Sequence, residues 1–137
     1  MEKVKEAYTL DTYAIIAYLK KEGGGEQVRT LLEKAKKKDV VLFVHEINLG
    51  EVQYIVHRES GEKESDKLIA WLRECPITFV GLEDNILSRA AKIKAVYSIS
   101  FADAFAAATT ILKDSVLLTG DPEFKPMEKI VKIKWLK

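Results

Sequence analysis

The sequence predicts an α/β fold with a mainly parallel central sheet, and three observations carry that prediction. Short apolar runs that read as strands covered on both faces alternate with longer segments of helical periodicity. Strands alternating with helices are the pattern of a parallel sheet with helices packed on both faces. The stretch 97–124, YSISFADAFAAATTILKDSVLLTGDPEF, sets a helix that is apolar nearly all round beside an apolar strand, so both belong inside.

The elements follow in order. Tyr8 to Asp11 reads as a first buried strand, and Thr12 to Leu19 as a helix leaving it, capped by Asp11 or Thr12. Gly23-Gly24-Gly25 is a loop without the spacing of a phosphate-binding loop. Glu26 to Lys38 is an amphipathic helix with Val28, Leu31, Leu32 and Ala35 on one face, and its lysine-rich end suits the helix dipole. Val40 to Val44 is a second buried strand, followed by a helix over His45 to Arg58 that Ser60-Gly61 stops. Glu62 to Glu74 is amphipathic through Leu68, Ile69, Trp71 and Leu72. Pro76 introduces a third strand, Ile77 to Val80, and Glu83 to Lys94 is a helix. Ser100 caps the buried helix that runs to Leu112, and Val116 to Leu118 is the fourth strand. Alternation over Ile130 to Trp135 predicts a last strand at an edge of the sheet.

Length and composition narrow the classes. At 137 residues the chain fits one domain spanning 1–137. A net charge of +1 excludes a bulk polycation that holds nucleic acid by charge alone. The charged opening MEKVKEAYTL lacks the apolar centre of a signal peptide, and no apolar run reaches the length of a membrane span. A single cysteine, Cys75, can form no internal disulfide and reads as a structural thiol. Together these predict a cytoplasmic protein without a membrane partner. His45 and His57 match no zinc spacing and read as structural or surface residues.

The acids carry the chemistry. Asp11 ends the first strand, Asp121 follows the fourth, Asp103 lies in the first turn of the buried helix, and Glu51 sits mid-helix after the second strand. Each has a plain structural reading: a cap for Asp11, a capping box with Ser100 for Asp103, a turn for Asp121-Pro122, a solvated helix face for Glu51. Taken together they demand more. Ligands of open α/β sheets bind beyond the carboxyl ends of the strands, which is where neighbouring strands would bring all four. Two carboxylates about 4 Å apart repel by roughly 4 kcal/mol at an effective dielectric of about 20. Such a cluster persists by taking up protons or by binding a cation. Without a His or Cys set, the hard ions Mg2+ or Mn2+ suit it better than Zn2+.

LDTYAIIAYL, HEINLGEVQYIV, ISFADAFAAAT and LLTGDPEF, in that order, resemble the successive motifs of PIN-domain ribonucleases, and most closely those of VapC-type toxins. The resemblance covers essentially the whole chain. It implies a three-layer α/β/α PIN-like fold and a Mg2+- or Mn2+-dependent endoribonuclease. It implies that Asp11, Glu51, Asp103 and Asp121 are the catalytic, metal-binding acids, with Thr12 and Thr119 in supporting positions. Glu123 falls where the family often has a fifth acid, usually Asp. Single-stranded RNA suits such a nuclease better than duplex because unstacked bases can be read, and the family also implies a homodimer and an antitoxin protein as partner of a type II toxin–antitoxin pair. Lys20, Lys21, Arg58, Arg89, Lys92, Lys94 and Lys125 are the candidates for gripping RNA.

Two alternatives stand beside this reading. A haloacid-dehalogenase-type phosphatase also begins with a strand-end Asp and needs Mg2+, but it carries a second Asp two residues on, where this chain has Tyr13. A catalytically silent PIN-like domain that binds RNA or protein would not need the full set of acids.

Overall fold

The computed structural model describes residues 5–137; the leading residues 1–4, part of the charged opening read above, lie outside the described residues. Five parallel strands form one sheet: β1 (Glu6–Leu10), β2 (Val40–His45), β3 (Thr78–Val80), β4 (Val116–Thr119) and β5 (Ile133–Trp135). Their order is β3-β2-β1-β4-β5, so the chain first moves outward from β1 on one side and then returns to its other side. Parallel strands of this kind are buried on both faces. Accordingly Leu42, Val44, Leu117 and Leu118 are sealed from solvent.

Among the described residues, six α-helices supply the outer layers. On one face α1 (Thr12–Leu19), α2 (Gly25–Lys36), α3 (Glu46–Ser60) and α4 (Glu62–Glu74) cover a core that includes Leu10, Leu31, Leu42, Val52 and Leu118. On the other, α5 (Asp84–Val96) and α6 (Phe101–Leu112) close over Ile86, Leu117, Phe124 and Met127. This is the expected three-layer α/β/α arrangement. The small side chains of α6 explain its position: every residue from Asp103 to Thr110 is buried, and the helix packs on β1, β2 and β4 at once. Its start is fixed by Ser100, whose hydroxyl accepts from the Asp103 amide at 3.1 Å.

One predicted element is shorter than expected. The last strand pairs with β4 only over Ile133–Trp135, although it does lie at the sheet edge. The preceding residues Pro122–Lys129 wind into a 3-10 helix because Phe124 and Met127, both fully buried, anchor its inner side. His45 proves structural: its Nδ1 accepts from the Ile47 amide at 3.0 Å and caps α3, with its ring 4.7 Å from that of Phe105. Cys75 is half-buried at the end of α4, and burial pushes its thiol up. No helix among the described residues is long and apolar enough to cross a membrane.

Candidate functional site

The return of the chain past β1 creates a switch point between the carboxyl ends of β1 and β4, the crevice where open α/β sheets hold ligands. Leu10 is in register with Leu118, so the next residues on the two strands, Asp11 and Thr119, stand side by side. The Thr119 hydroxyl donates to Asp11 Oδ2 at 2.5 Å and accepts from the Asp121 amide at 3.0 Å. Asp11 Oδ1 accepts from the Ala14 amide at 2.8 Å and so caps α1 as well. The capping role and the site role therefore belong to the same carboxylate.

Between Thr119 and Asp121 a side chain could enter only by displacing Tyr13. A Cβ at Gly120 would run into the ring of Tyr13, which lies over the turn. Asp121 then turns the chain, its Oδ1 accepting from the Glu123 amide at 2.9 Å at the head of the 3-10 helix. That turn swings Glu123 back towards the crevice. Asp103, Asp121 and Glu123 each offer one carboxylate oxygen, and the three atoms lie within 4.8 Å of one another.

Charge is costly here. Burial raises Asp11 from 3.8 to about 7, against the pull of the hydrogen bonds from Thr119 and Ala14, and the charges of Asp103 and Asp121 raise it further. Burial also raises Asp103 to about 6, followed by the charge of Asp121; a hydrogen bond from Ser100 lowers it, and Glu51 and Glu123 raise it. Glu51, half-buried on α3, is thus near enough for its charge to act on Asp103. Asp11 and Glu51 stand outside the tight set of three but within reach of its field. An all-oxygen, multiply negative set of this kind fits a hard divalent cation, which would relieve the repulsion that otherwise drives these carboxyls to hold protons.

The sequence profile of the PIN domain matches residues 8–130, from β1 through the end of the 3-10 helix. The chain belongs to the PIN domain family. Solved structures of similar shape include VapBC2 from Rickettsia felis bound to a DNA fragment from its promoter. It has a TM-score of 0.73 and 16% identity, over 96% of this chain and 99% of that one. DNA-bound VapBC from Salmonella typhimurium follows with a TM-score of 0.71 and 14% identity, over 94% and 97% of the two chains. VapC20 from Mycobacterium tuberculosis, a sarcin-ricin loop cleaving toxin, has a TM-score of 0.63 and 16% identity over 90% and 95%. At such identities the likeness is one of fold. No curated protein matches the sequence.

Within this PIN domain the remaining candidates separate clearly. The Thr12 hydroxyl donates to the backbone carbonyl of Asn48 at 3.4 Å. Asn48, wholly buried on α3, donates through Nδ2 to Thr12 Oγ1 at 3.4 Å and to the Ala102 carbonyl at 3.2 Å. It links the segments that carry Asp11 and Asp103. Sequence reasoning passed over it; the available signal was a polar residue four before Val52 on the helix face that packs inward. Among the basic candidates, Lys20 is paired with Glu59 at 2.9 Å, and Lys94 donates to the Ile99 carbonyl at 2.8 Å. The Lys20 pair is solvent-exposed and weak, whereas the Lys94 bond ties α5 to the segment leading into α6.

Proposed function

We propose that this PIN domain is a Mg2+- or Mn2+-dependent endoribonuclease of the VapC toxin type that hydrolyses phosphodiesters of single-stranded RNA. The observation that carries the reading is the convergence of Asp103, Asp121 and Glu123 within 4.8 Å beside Asp11 at the β1–β4 switch point. Asp11, Asp103 and Asp121 would hold the ion, with Glu51 and Glu123 completing its surroundings. Bound there, a divalent ion offsets charge developing on the phosphate and makes water easier to deprotonate.

The chain's own residues do the rest. Thr119 fixes the rotamer of Asp11 and ties it to the turn of Asp121, so the two acids move as one unit. Glu51, half-buried on α3, would bind a second ion or orient the attacking water and take its proton. Attack by water rather than by the 2′-hydroxyl leaves 5′-phosphate and 3′-hydroxyl ends.

The toxin assignment rests on the toxin–antitoxin complexes among the similar structures. An antitoxin would cover the acidic crevice, and a homodimer would use exposed apolar side chains such as Leu82, Leu87 and Val96. Both belong with a cytoplasmic enzyme acting on cellular RNA.

The test is incubation of the pure protein with a labelled single-stranded RNA panel in Mn2+, Mg2+ or EDTA, beside Asp11→Asn and Asp103→Asn. Cleavage that requires the metal, leaves 5′-phosphates and disappears in both variants is the expected result. Cyclic phosphate ends, or cleavage surviving both substitutions, would refute the mechanism.

A further inference from the structure

The face of α3 beyond Glu51 is built unlike an ordinary solvated helix surface. Gly50, Gln53, Tyr54, His57 and Arg58 line a shallow groove of about 510 Å3. Helical spacing puts Gly50, Tyr54, His57 and Arg58 on one stripe, and Tyr54 and Arg58 follow Glu51 at i+3 and i+7 along its edge. Asn48 Nδ2, two residues before Gly50, donates to the Ala102 carbonyl at 3.2 Å and holds this turn of α3 against the start of α6, so the stripe begins beside Asp103 and runs away from it.

Three features of the stripe suit a nucleotide. Tyr54 is 49% exposed, a large aromatic plane open to solvent. The Arg58 guanidinium lies 5.4 Å from the centre of that ring, and Arg58 makes no ion pair among the described residues. A free cation stacked on an aromatic ring can take a phosphate at its edge while the ring takes a base on its face. Gly50 is the third feature. Glycine weakens a helix interior, yet a Cβ at this position would meet nothing within 4 Å. Packing inside the protein therefore does not demand it. A bare helix backbone at the floor of the groove, one residue before Glu51, gives a ligand close approach.

We infer that this α3 face is the path by which the substrate strand leaves the acidic crevice, with one unpaired base of single-stranded RNA stacked on Tyr54 and its phosphate met by Arg58. The inference rests on the ribonuclease reading and adds to it the residues that hold the strand. At a rise of about 1.5 Å per residue, Arg58 lies roughly 10 Å along the helix from Glu51, so the contacts fall on the nucleotides next to the scissile bond. An unstacked base splayed onto an aromatic ring is the mode by which proteins hold single-stranded RNA.

The experiment measures binding of a fluorescein-labelled, single-stranded RNA in Mg2+, with a sulfur-substituted backbone that resists cleavage and 2-aminopurine as the reporter base. Wild-type protein should bind it and quench the reporter. Tyr54→Ala should weaken binding roughly tenfold and abolish the quenching, while Tyr54→Phe keeps both. Arg58→Ala should weaken binding and reduce the slope of log affinity against log salt by about one. Thermal melts confirm that each exposed substitution leaves the fold intact.

Equal affinity of Tyr54→Ala, Arg58→Ala and wild type would overturn the groove assignment. A change of oligomeric state in these variants with unchanged RNA affinity would overturn it too, in favour of a protein interface. Wild-type protein that fails to bind the RNA also overturns it. Metal-dependent cleavage of unmodified RNA, scored in parallel, separates failure of the groove from failure of the ribonuclease reading.

Discussion

The Thr119 hydroxyl donates to Asp11 Oδ2 at 2.5 Å while accepting from the amide of Asp121 at 3.0 Å. One small side chain at the end of β4 thus orients an acid at the end of β1 and anchors the turn that carries another. Thr119→Val keeps the shape and removes both bonds, leaving a buried carboxylate oxygen and a backbone amide unmatched. Loss of a hydrogen bond to a buried ionisable group costs about 1.5–3 kcal/mol. The expected outcome is a lower melting temperature together with weaker Mn2+ binding by calorimetry, both restored by Thr119→Ser. A Thr119→Val protein with wild-type Mn2+ affinity would show that Asp11 does not need this partner to serve the site.

The raised carboxyls fix how metal-free stability depends on pH. Asp11 titrates near 3.8 when unfolded and near 7 when folded, and Asp103 moves to about 6. Between about pH 4 and pH 7 the folded protein therefore holds more protons than the unfolded chain. Stability falls as pH rises through that window, and the full penalty is present above pH 7. Raising Asp11 from 3.8 to about 7 corresponds to a penalty on the order of 4 kcal/mol. In EDTA, Asp11→Asn should be more stable than wild type at pH 8 by a few kcal/mol, and this advantage should shrink towards pH 4. Urea denaturation at the two pH values reads the difference. A wild-type protein in EDTA that gains stability from pH 4 to pH 8 would contradict the buried, mutually repelling arrangement.

Adding the cation should reverse that penalty. An ion that binds only the folded site stabilises by about 2.7 kcal/mol at a hundred times its dissociation constant, so saturating Mn2+ should raise the melting temperature by several degrees. Glu123 is the informative position because its carboxylate lies with those of Asp103 and Asp121, whereas that of Glu51 does not. Glu123→Gln should therefore weaken Mn2+ binding measurably. Glu51→Gln should lower the cleavage rate far more than it lowers Mn2+ affinity. Identical Mn2+ affinities for Glu123→Gln and wild type would remove Glu123 from the ion's surroundings.

Much of this could be read from residues alone, and the limits have physical causes. Helices α1 and α4 run over the predicted spans, Thr12–Leu19 and Glu62–Glu74, because Asp11 and Gly61 mark their starts, and Lys20-Lys21 and Cys75-Pro76 follow the ends of their apolar runs. The 3-10 helix was hidden. Alternation over 130–135 fits a long edge strand equally well, and only burial of Phe124 and Met127 in the assembled core bends the preceding segment. The same bend decides the place of Glu123, so its approach to Asp103 could not be seen in local sequence. Asp11, Asp103 and Asp121 were legible because each sits where a strand ends or a buried helix begins. Asn48 was not, since its two partners, Thr12 and Ala102, come from segments 36 and 54 residues away.

Gly50 offers a test in which stability and ligand contact pull apart. It sits in the second turn of α3, with open space where a side chain would go. Its backbone is helical, so alanine can replace it without strain. Alanine is better than glycine in a helix interior by roughly 0.8–1.0 kcal/mol. Gly50→Ala should therefore raise the urea midpoint with an unchanged denaturant slope, because nothing in the folded protein resists the added methyl group. If the α3 face carries the RNA strand, that methyl enters the floor of the groove, and the same variant should bind single-stranded RNA less tightly than wild type. A midpoint that stays put or falls would contradict the open, helical setting of Gly50.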